Sequence, residues 1–247
     1  MSYRILFALF FALYGLCFVL SLWREKRSRR FHRIALIPPV LCNGVTLLVV
    51  VLESGHLPSH FLFEQFVELT LGTGLLLWLL SFLQDTRRVS PYVLGMIVLL
   101  LVVTVFFPKD LTPLIFRFSL PTAQLFFQLE SLASVLLVFS AAYYFLCFVE
   151  RGLIPDGRSY MQMGRRFLLI GFTLFLSSQF FGSLWSLRGW GDYWMWGKMS
   201  SMGVVLWFYL MLVIHLRYVS GFGRTFEAGV GASLFPLLIV YRMIWQP

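Results

Sequence analysis

Long apolar segments alternate with short polar connectors along the whole chain. Each segment has about the length that a helix needs to cross a bilayer, roughly 20 residues. Eight segments are visible, at residues 4–22, 34–52, 66–83, 91–107, 122–149, 166–187, 200–219 and 228–245. The fifth is longer than the others, which predicts a tilted helix or an end outside the membrane. The pattern therefore predicts an all-α, polytopic integral membrane protein with about eight transmembrane helices.

The composition supports this interpretation. Of the 247 residues, 59% are hydrophobic and 13% are charged, too few polar groups to cover a soluble domain of this length. The connectors are short, so we expect a single integral membrane domain over residues 1–247. The first segment resembles a signal peptide, but no small-residue cleavage site follows it. We therefore predict that it is retained as a helix.

The distribution of positive charge predicts the orientation. Most of the 20 lysines and arginines fall in the connectors after the first, third, fifth and seventh segments. The positive-inside rule places these connectors in the cytoplasm and both termini outside it. We therefore predict a multi-pass protein of the cytoplasmic (inner) membrane. The net charge of +9 then reflects topology and contacts with membrane lipid, and no nucleic acid is expected as a partner.

Few ionisable residues lie deep within the apolar segments, and Glu130 and His215 are the two that we single out. Such residues are functional candidates in a membrane, although either is also compatible with a structural role or with hydration near the interface. Glycines such as Gly74, Gly164 and Gly171 are expected to let helices approach closely. The sequence has no C-x-x-C-H, phosphate-binding glycine loop, zinc-ligand spacing or G-x-S-x-G, which argues against a c-type cytochrome and several enzyme classes.

Half of the eight tryptophans fall within "GSLWSLRGWGDYWMWGKM", residues 182–199. An aromatic belt at the membrane surface explains one or two of them. It does not explain the glycines on both sides of Trp190, which allow the backbone to turn and to present rings closely to a ligand. Indole faces stack on flat apolar rings, and a porphyrin is such a ligand. A belt and a ligand platform are thus the two alternatives.

This segment resembles the tryptophan-rich WWD segment of the cytochrome c assembly protein family, which includes CcsA, CcmC and HemX-like membrane proteins. The likeness is strongest over residues 165–220, and "ESGHLPSHFLFEQF" at 53–66 is similar to an upstream connector of the family. The matching positions are Gly182, Trp185, Trp190, Gly191, Tyr193, Trp194, Trp196, Leu206, Trp207, Tyr209, His215 and Arg217.

The resemblance implies haem as a cofactor. It implies that Trp185, Trp190, Tyr193, Trp194 and Trp196 cradle the porphyrin, and that His215 is a haem iron ligand. The chain departs from the family where other ligand histidines are expected: Asn43 stands in the second segment, Gln128 stands at the start of the fifth, and no histidine follows the eighth. His56 and His60 are the remaining candidates for replacing them. Because amides are poor iron ligands, we expect a site with a single histidine.

The function implied by the resemblance is haem handling at the extracytoplasmic face during cytochrome c maturation. The implied partners are haem and another cytochrome c assembly protein or apocytochrome c. We assign no catalytic residue and expect at most a part in a haem–apocytochrome ligation complex. A non-catalytic HemX-like scaffold or regulator of haem biosynthesis is the first alternative. A secondary transporter is the second, and it would require helices broken near the middle of the membrane.

Overall fold

The computed structural model of the chain is helical throughout the residues that it describes, which are 2–23, 29–58, 61–107, 120–150, 157–194, 197–219, 221 and 223–244. Nine helices are found within these residues. They are α1 (Ser2–Leu22), α2 (Arg29–Ser54), α3 (Leu62–Leu83), α4 (Ser90–Val105), α5 (Pro121–Val149), α6 (Gly157–Trp190), α7 (Lys198–Leu216), α8 (Arg224–Ala232) and α9 (Leu234–Ile244).

The helices confirm the prediction of an all-α polytopic membrane protein. Six spans are long and apolar enough to cross a bilayer, and two shorter apolar helices, Ser90–Val105 and Ser201–Leu216, accompany them. Every apolar segment of the sequence corresponds to one of these eight spans. The largest difference in length is at α6, which begins at Gly157 rather than near residue 166.

The last apolar segment forms a single candidate membrane span, Arg224–Ile244, with an interruption that the sequence pattern did not predict. The helix stops at Ala232 and resumes at Leu234. Pro236 has no backbone N–H to donate to the carbonyl of Ala232, four residues before it, and its ring crowds that carbonyl. The Tyr209 hydroxyl of α7 lies 2.6 Å from Ser233 Oγ and also bonds the Val230 carbonyl, which satisfies polar groups at the break.

The chain forms two compact units, Met1–Pro113 and Leu114–Pro247, called here the first and the second unit. In the first unit, α1 packs against α2 and α4, and α3 also packs against α2 and α4. The four helices therefore form a closed ring. A small polar cluster lies inside it, where Asn43 Nδ2 donates to Thr70 Oγ1 at 3.1 Å and the Tyr14 hydroxyl lies 3.5 Å from the Thr70 carbonyl oxygen.

Gly74 gives Tyr14 its space in this ring, which confirms the predicted close approach. A Cβ atom on Gly74 would lie 2.1 Å from the Tyr14 hydroxyl oxygen and 3.0 Å from the ring carbon that bears it. We expect Gly74→Ala to lower the free energy of unfolding of the first unit by about 1–3 kcal/mol, the usual cost of overpacking. Denaturant titration in detergent measures this loss.

The control for this prediction is Tyr14→Phe, which removes the atom that the new methyl group would meet first. The double variant Gly74→Ala/Tyr14→Phe is expected to recover part of the loss. Equal losses with and without the tyrosine hydroxyl would show that Gly74 is not required by this contact.

In the second unit, α5 is the central helix. It contacts α6, α8 and α9. Of the most apolar 18-residue stretch of each helix, 67% is buried in α5 and 28% in α6. Three glycines of α6 face α5: Cβ atoms on Gly164, Gly171 and Gly182 would lie about 3 Å from Tyr143, Leu137 and Phe126, at 3.1, 3.0 and 2.9 Å. The predicted role of Gly164 and Gly171 in close helix approach is thus confirmed.

Candidate functional site

Trp185 is the buried anchor of the tryptophan-rich segment. It is 3% exposed. Its ring stacks on Phe126 of α5, with centroids 5.8 Å apart and planes 29° apart, and it is tilted against Phe127 at 5.6 Å. Gly182 lies one turn earlier, and a Cβ atom there would press on the same Phe126 ring. Gly182 and Trp185 therefore both contact the Phe126 ring, and this part of the motif packs α6 against α5.

Trp190 lies at the end of α6 and rests on this anchor. Its ring meets that of Trp185 edge to face, with centroids 5.2 Å apart, and 39% of the residue is exposed. Gly191 ends the helix with φ +80° and donates its N–H to the Leu187 carbonyl at 2.9 Å. A side chain would strain that backbone conformation, so Gly191 fixes the turn that follows Trp190.

The residues after this turn complete an exposed aromatic surface. Tyr193 is 58% exposed, and Trp194 is half-buried. The Trp194 backbone N–H points to Asp192 Oδ1 at 3.3 Å, which holds the short loop. We call Trp190, Tyr193 and Trp194 the aromatic platform. Trp196, the other predicted member, lies outside the described residues.

His215 lies on an exposed face of α7. Its Nδ1 is 2.8 Å from the Met211 carbonyl oxygen. Because a carbonyl oxygen only accepts hydrogen bonds, Nδ1 carries the proton, and Nε2 of the neutral ring keeps its lone pair. This tautomer is the one in which histidine ligates a metal through Nε2. Val205, Phe208 and Leu212 are exposed on the same side of the helix, so the imidazole stands in an apolar stripe.

The aromatic platform and His215 are far apart. The platform directly precedes α7, whereas His215 is in its last turn. The 17 residues between Lys198 and His215 correspond to about 25 Å along a helix. The structure therefore does not bring the predicted cradle and the predicted iron ligand together at one porphyrin.

The residues around His215 fit a bound haem, whereas those around Asn43 do not. His215 fits the requirement for an axial ligand, since it offers Nε2 from an exposed side chain. The surroundings of Asn43 do not fit: the residue is 0% exposed, its amide donates to Thr70, and Tyr14 fills the space above Gly74. Gln128 is half-buried on α5. Within the described residues, no group of three histidine, cysteine or acidic side chains comes together.

Glu130, the other ionisable candidate, forms a buried pair that the sequence did not reveal. Its carboxylate Oε1 lies 4.0 Å from Arg242 Nη1, and both side chains are at most 3% exposed. Arg242 Nη2 also donates to Ser134 Oγ at 2.8 Å and to the Glu130 carbonyl at 3.1 Å. Arg242 lies inside the last apolar segment of the sequence, and it is buried in α9. The signal available was an arginine inside an apolar run.

His56 is also held by a carboxylate. Its Nδ1 donates to the Leu57 carbonyl at 2.9 Å, and its Nε2 lies 3.7 Å from Glu64 Oε1, with side chains 4% and 1% exposed. This arrangement turns the ring toward the interior of the first unit, which makes His56 unsuited to replace a missing haem ligand. His60 lies outside the described residues.

No family model matches the chain. In sequence, it is 27% identical over 77 residues to the cytochrome c biogenesis protein CcsA of Prochlorococcus marinus strain MIT 9515. These 77 residues are 31% of this chain and 25% of that protein. The CcsA of Prochlorococcus marinus subsp. pastoris is equally similar, at 27% over 77 residues and 24% of its length. The matched region thus spans about a quarter of these curated relatives.

In fold, the chain is similar to the cytochrome c haem lyase CcmF. The TM-score is 0.76 at 18% sequence identity, and the superposition covers 98% of this chain and 46% of that one. The chain therefore spans about half of the CcmF structure.

The fold defines a polytopic helical membrane protein with an aromatic platform at the end of a transmembrane helix. In sequence the chain is similar to CcsA over 77 residues, and in fold it is similar to CcmF over nearly its whole length.

Proposed function

We propose that this protein handles haem during cytochrome c biogenesis, presenting the porphyrin on the aromatic platform. The observation that carries the proposal is the support of Trp190 by the buried Trp185, which holds an indole exposed at the end of α6. Exposing large aromatic rings while burying their support is what a stacking surface requires. The relatives named for cytochrome c biogenesis and haem lyase activity add to this support.

We further propose that His215 ligates the iron of a separate haem on the exposed face of α7. The Nδ1–H bond to the Met211 carbonyl orients the ring and leaves Nε2 as the ligand atom. A bound haem would supply the group that is transferred or relayed. The chain's own residues bind and orient it: the platform stacks on the ring, and His215 holds iron. Apocytochrome c or another assembly protein is the proposed partner.

The direct test is the absorption spectrum of the detergent-purified protein before and after addition of haemin. We expect a bound haem whose spectrum lacks the sharp low-spin bands of bis-imidazole ligation and changes when imidazole is added. Absence of any bound haem would contradict the proposal. It would favour a non-catalytic scaffold or regulator of haem biosynthesis, because Asn43 is engaged in packing where a ligand is expected.

The aromatic platform gives a second expected result. Changing both Trp190 and Trp194 to Leu should weaken haemin binding about tenfold or more, because each aromatic stacking contact contributes on the order of 1 kcal/mol beyond burial. Haemin titration followed by tryptophan quenching measures the affinity, and the yield in the membrane fraction reports insertion.

The matched control is Trp78→Leu, the same side-chain change in the first unit, where Trp78 packs on Phe82. It should leave haemin affinity unchanged. If the double platform variant lowers the yield but not the affinity, these tryptophans form a structural aromatic belt and the stacking surface is excluded.

We also propose that the platform faces the extracytoplasmic side of the inner membrane. The distribution of arginines among the connectors supports this orientation. A pair of topology reporters fused after Asp192 should show activity of the extracytoplasmic reporter and silence of the cytoplasmic one. The reverse pattern would contradict the orientation and, with it, presentation of haem on the outer face.

A further inference from the structure

An apolar groove opens at the end of the second unit where α5 ends and α8 begins. It is about 530 Å³ in volume and is lined by Phe148, Phe226 and Val230, with hydroxyl groups from Thr225 and Ser233. Phe226 is 48% and Phe148 37% exposed. Arg224 begins one candidate membrane span and Val149 ends another, so the groove lies at the membrane boundary.

The sequence keeps the groove open with glycines. Gly223 lines it and has no heavy atom within 4 Å of the place where a Cβ atom would be. Gly229 lines it next to Phe148, whose ring would lie 3.1 Å from a Cβ atom. Beyond the break at Ser233, α9 also packs on α5. The two glycines thus leave space beside Phe148.

Positive charges border the groove. Arg224 stands between Gly223 and Thr225, which both line the groove. The charges of Arg165, Arg217 and Arg224 all act on the Glu227 carboxylate, and Glu150 at the end of α5 is the other acid in this region. Arg165 donates to the Tyr218 hydroxyl at 3.0 Å, whereas Arg217 and Arg224 are exposed. The border of the groove therefore has an excess of positive charge.

We propose that this groove binds an anionic phospholipid of the membrane, with an acyl chain along Phe148 and Phe226 and the phosphate beside Arg217 and Arg224. An apolar slot that opens at the membrane boundary next to exposed arginines matches the two halves of such a molecule. Arginines near a membrane surface attract anionic lipids by about 1 kcal/mol each.

The lining distinguishes this ligand from haem, which is also apolar and carries carboxylates. Among the described residues that line the groove there is no histidine, cysteine, methionine or tyrosine, the side chains that usually hold haem iron. A phospholipid needs no such ligand. The proposal is therefore independent of the proposed haem function, and it is tested without haem.

The test uses the full chain in zwitterionic detergent micelles with two spin-labelled lipids of identical chains, phosphatidylglycerol and phosphatidylcholine. We expect phosphatidylglycerol to be immobilised preferentially. Arg217→Gln and Arg224→Gln should each weaken this preference about fivefold, the factor that corresponds to the attraction of one arginine. Equal immobilisation of the two lipids would overturn the proposal.

The control for charge is Arg188→Gln, which removes one exposed arginine in the last turn of α6, 23 residues after Arg165, or about 35 Å along that helix. It should leave the preference intact, and a loss equal to that of Arg224→Gln would show a diffuse effect of net charge and contradict a site. Val230→Trp tests the groove itself, because it fills the space and keeps every arginine.

Val230→Trp should abolish immobilisation of phosphatidylglycerol while the protein elutes as a single species in gel filtration. If the filled variant still binds the lipid, the groove is not the acyl-chain site. If haemin at an equimolar level displaces the lipid, the groove belongs to haem.

Discussion

Arg242→Ala is expected to destabilise the second unit by about 3–5 kcal/mol, the cost of leaving one member of a buried ion pair without its partner. The Glu130 carboxylate is 1% exposed and has Arg242 Nη1 at 4.0 Å, while Ser134 Oγ accepts from the same guanidinium. Removing the guanidinium leaves the carboxylate uncompensated in a membrane interior. Equilibrium unfolding of the purified protein in mixed detergent micelles measures the loss.

The matched control removes both charges. Because two apolar or neutral side chains of similar volume often replace a buried ion pair without loss, the double variant Glu130→Gln/Arg242→Met should recover most of the stability. Glu130→Gln alone should be destabilising, since it strands the arginine. If Arg242→Ala unfolds like the unmodified protein, the pair has no structural role, and Glu130 returns to the set of functional candidates.

His215→Ala is expected to remove the imidazole-type spectrum of bound haem. Nε2 of this exposed residue is the only ligand atom that we assign to iron, so no second assigned side chain retains the coordination. Haem content and the absorption spectrum in detergent measure the change. Added imidazole should restore the spectrum in the variant, because it occupies the vacated coordination position.

The control for this result is Leu212→Ala, which removes an exposed side chain from the same stripe of α7, 52% exposed, and leaves the imidazole in place. It should keep the spectrum. An unchanged haem content and spectrum in His215→Ala would make His215 a residue of the helix surface only. The proposal would then reduce to the aromatic platform.

The two results are separable. The ion pair joins α5 to α9 within the interior of the second unit, whereas His215 lies on the exposed face of α7. We expect Arg242→Ala to lose stability while its folded fraction keeps the haem spectrum. We expect His215→Ala to lose the haem spectrum while it keeps its stability.

The sequence by itself determined the class of protein and the positions of its helices. Eight apolar segments of membrane-spanning length leave little freedom, because a backbone in hydrocarbon must satisfy its own hydrogen bonds within helices. The close contacts at Gly74, Gly164 and Gly171 were also predictable, since small residues in apolar helices usually allow neighbours to approach. Recognition of the tryptophan-rich segment likewise needed only the order of residues.

The tertiary structure decided what the individual residues of that segment do. The resemblance predicts Trp185 as part of a ligand cradle, and in the structure Trp185 and Gly182 both pack on Phe126, a residue more than 50 positions earlier. The sequence contains no sign of that pairing, because helix contacts depend on rotation about each axis. The exposed platform is therefore smaller than the motif.

Two further features depended on contacts between distant residues. Arg242 lies near the end of an apolar segment, and only the packing of α9 on α5 brings it to Glu130, 112 positions away. The break at Ser233 follows from Pro236, which the sequence displays, but the partner that stabilises it, Tyr209, comes from another helix. The apolar and polar pattern of the sequence specified where helices form. The packing of the helices specified which polar groups meet, because a buried charge or an unpaired backbone carbonyl is tolerated only where another helix supplies a partner.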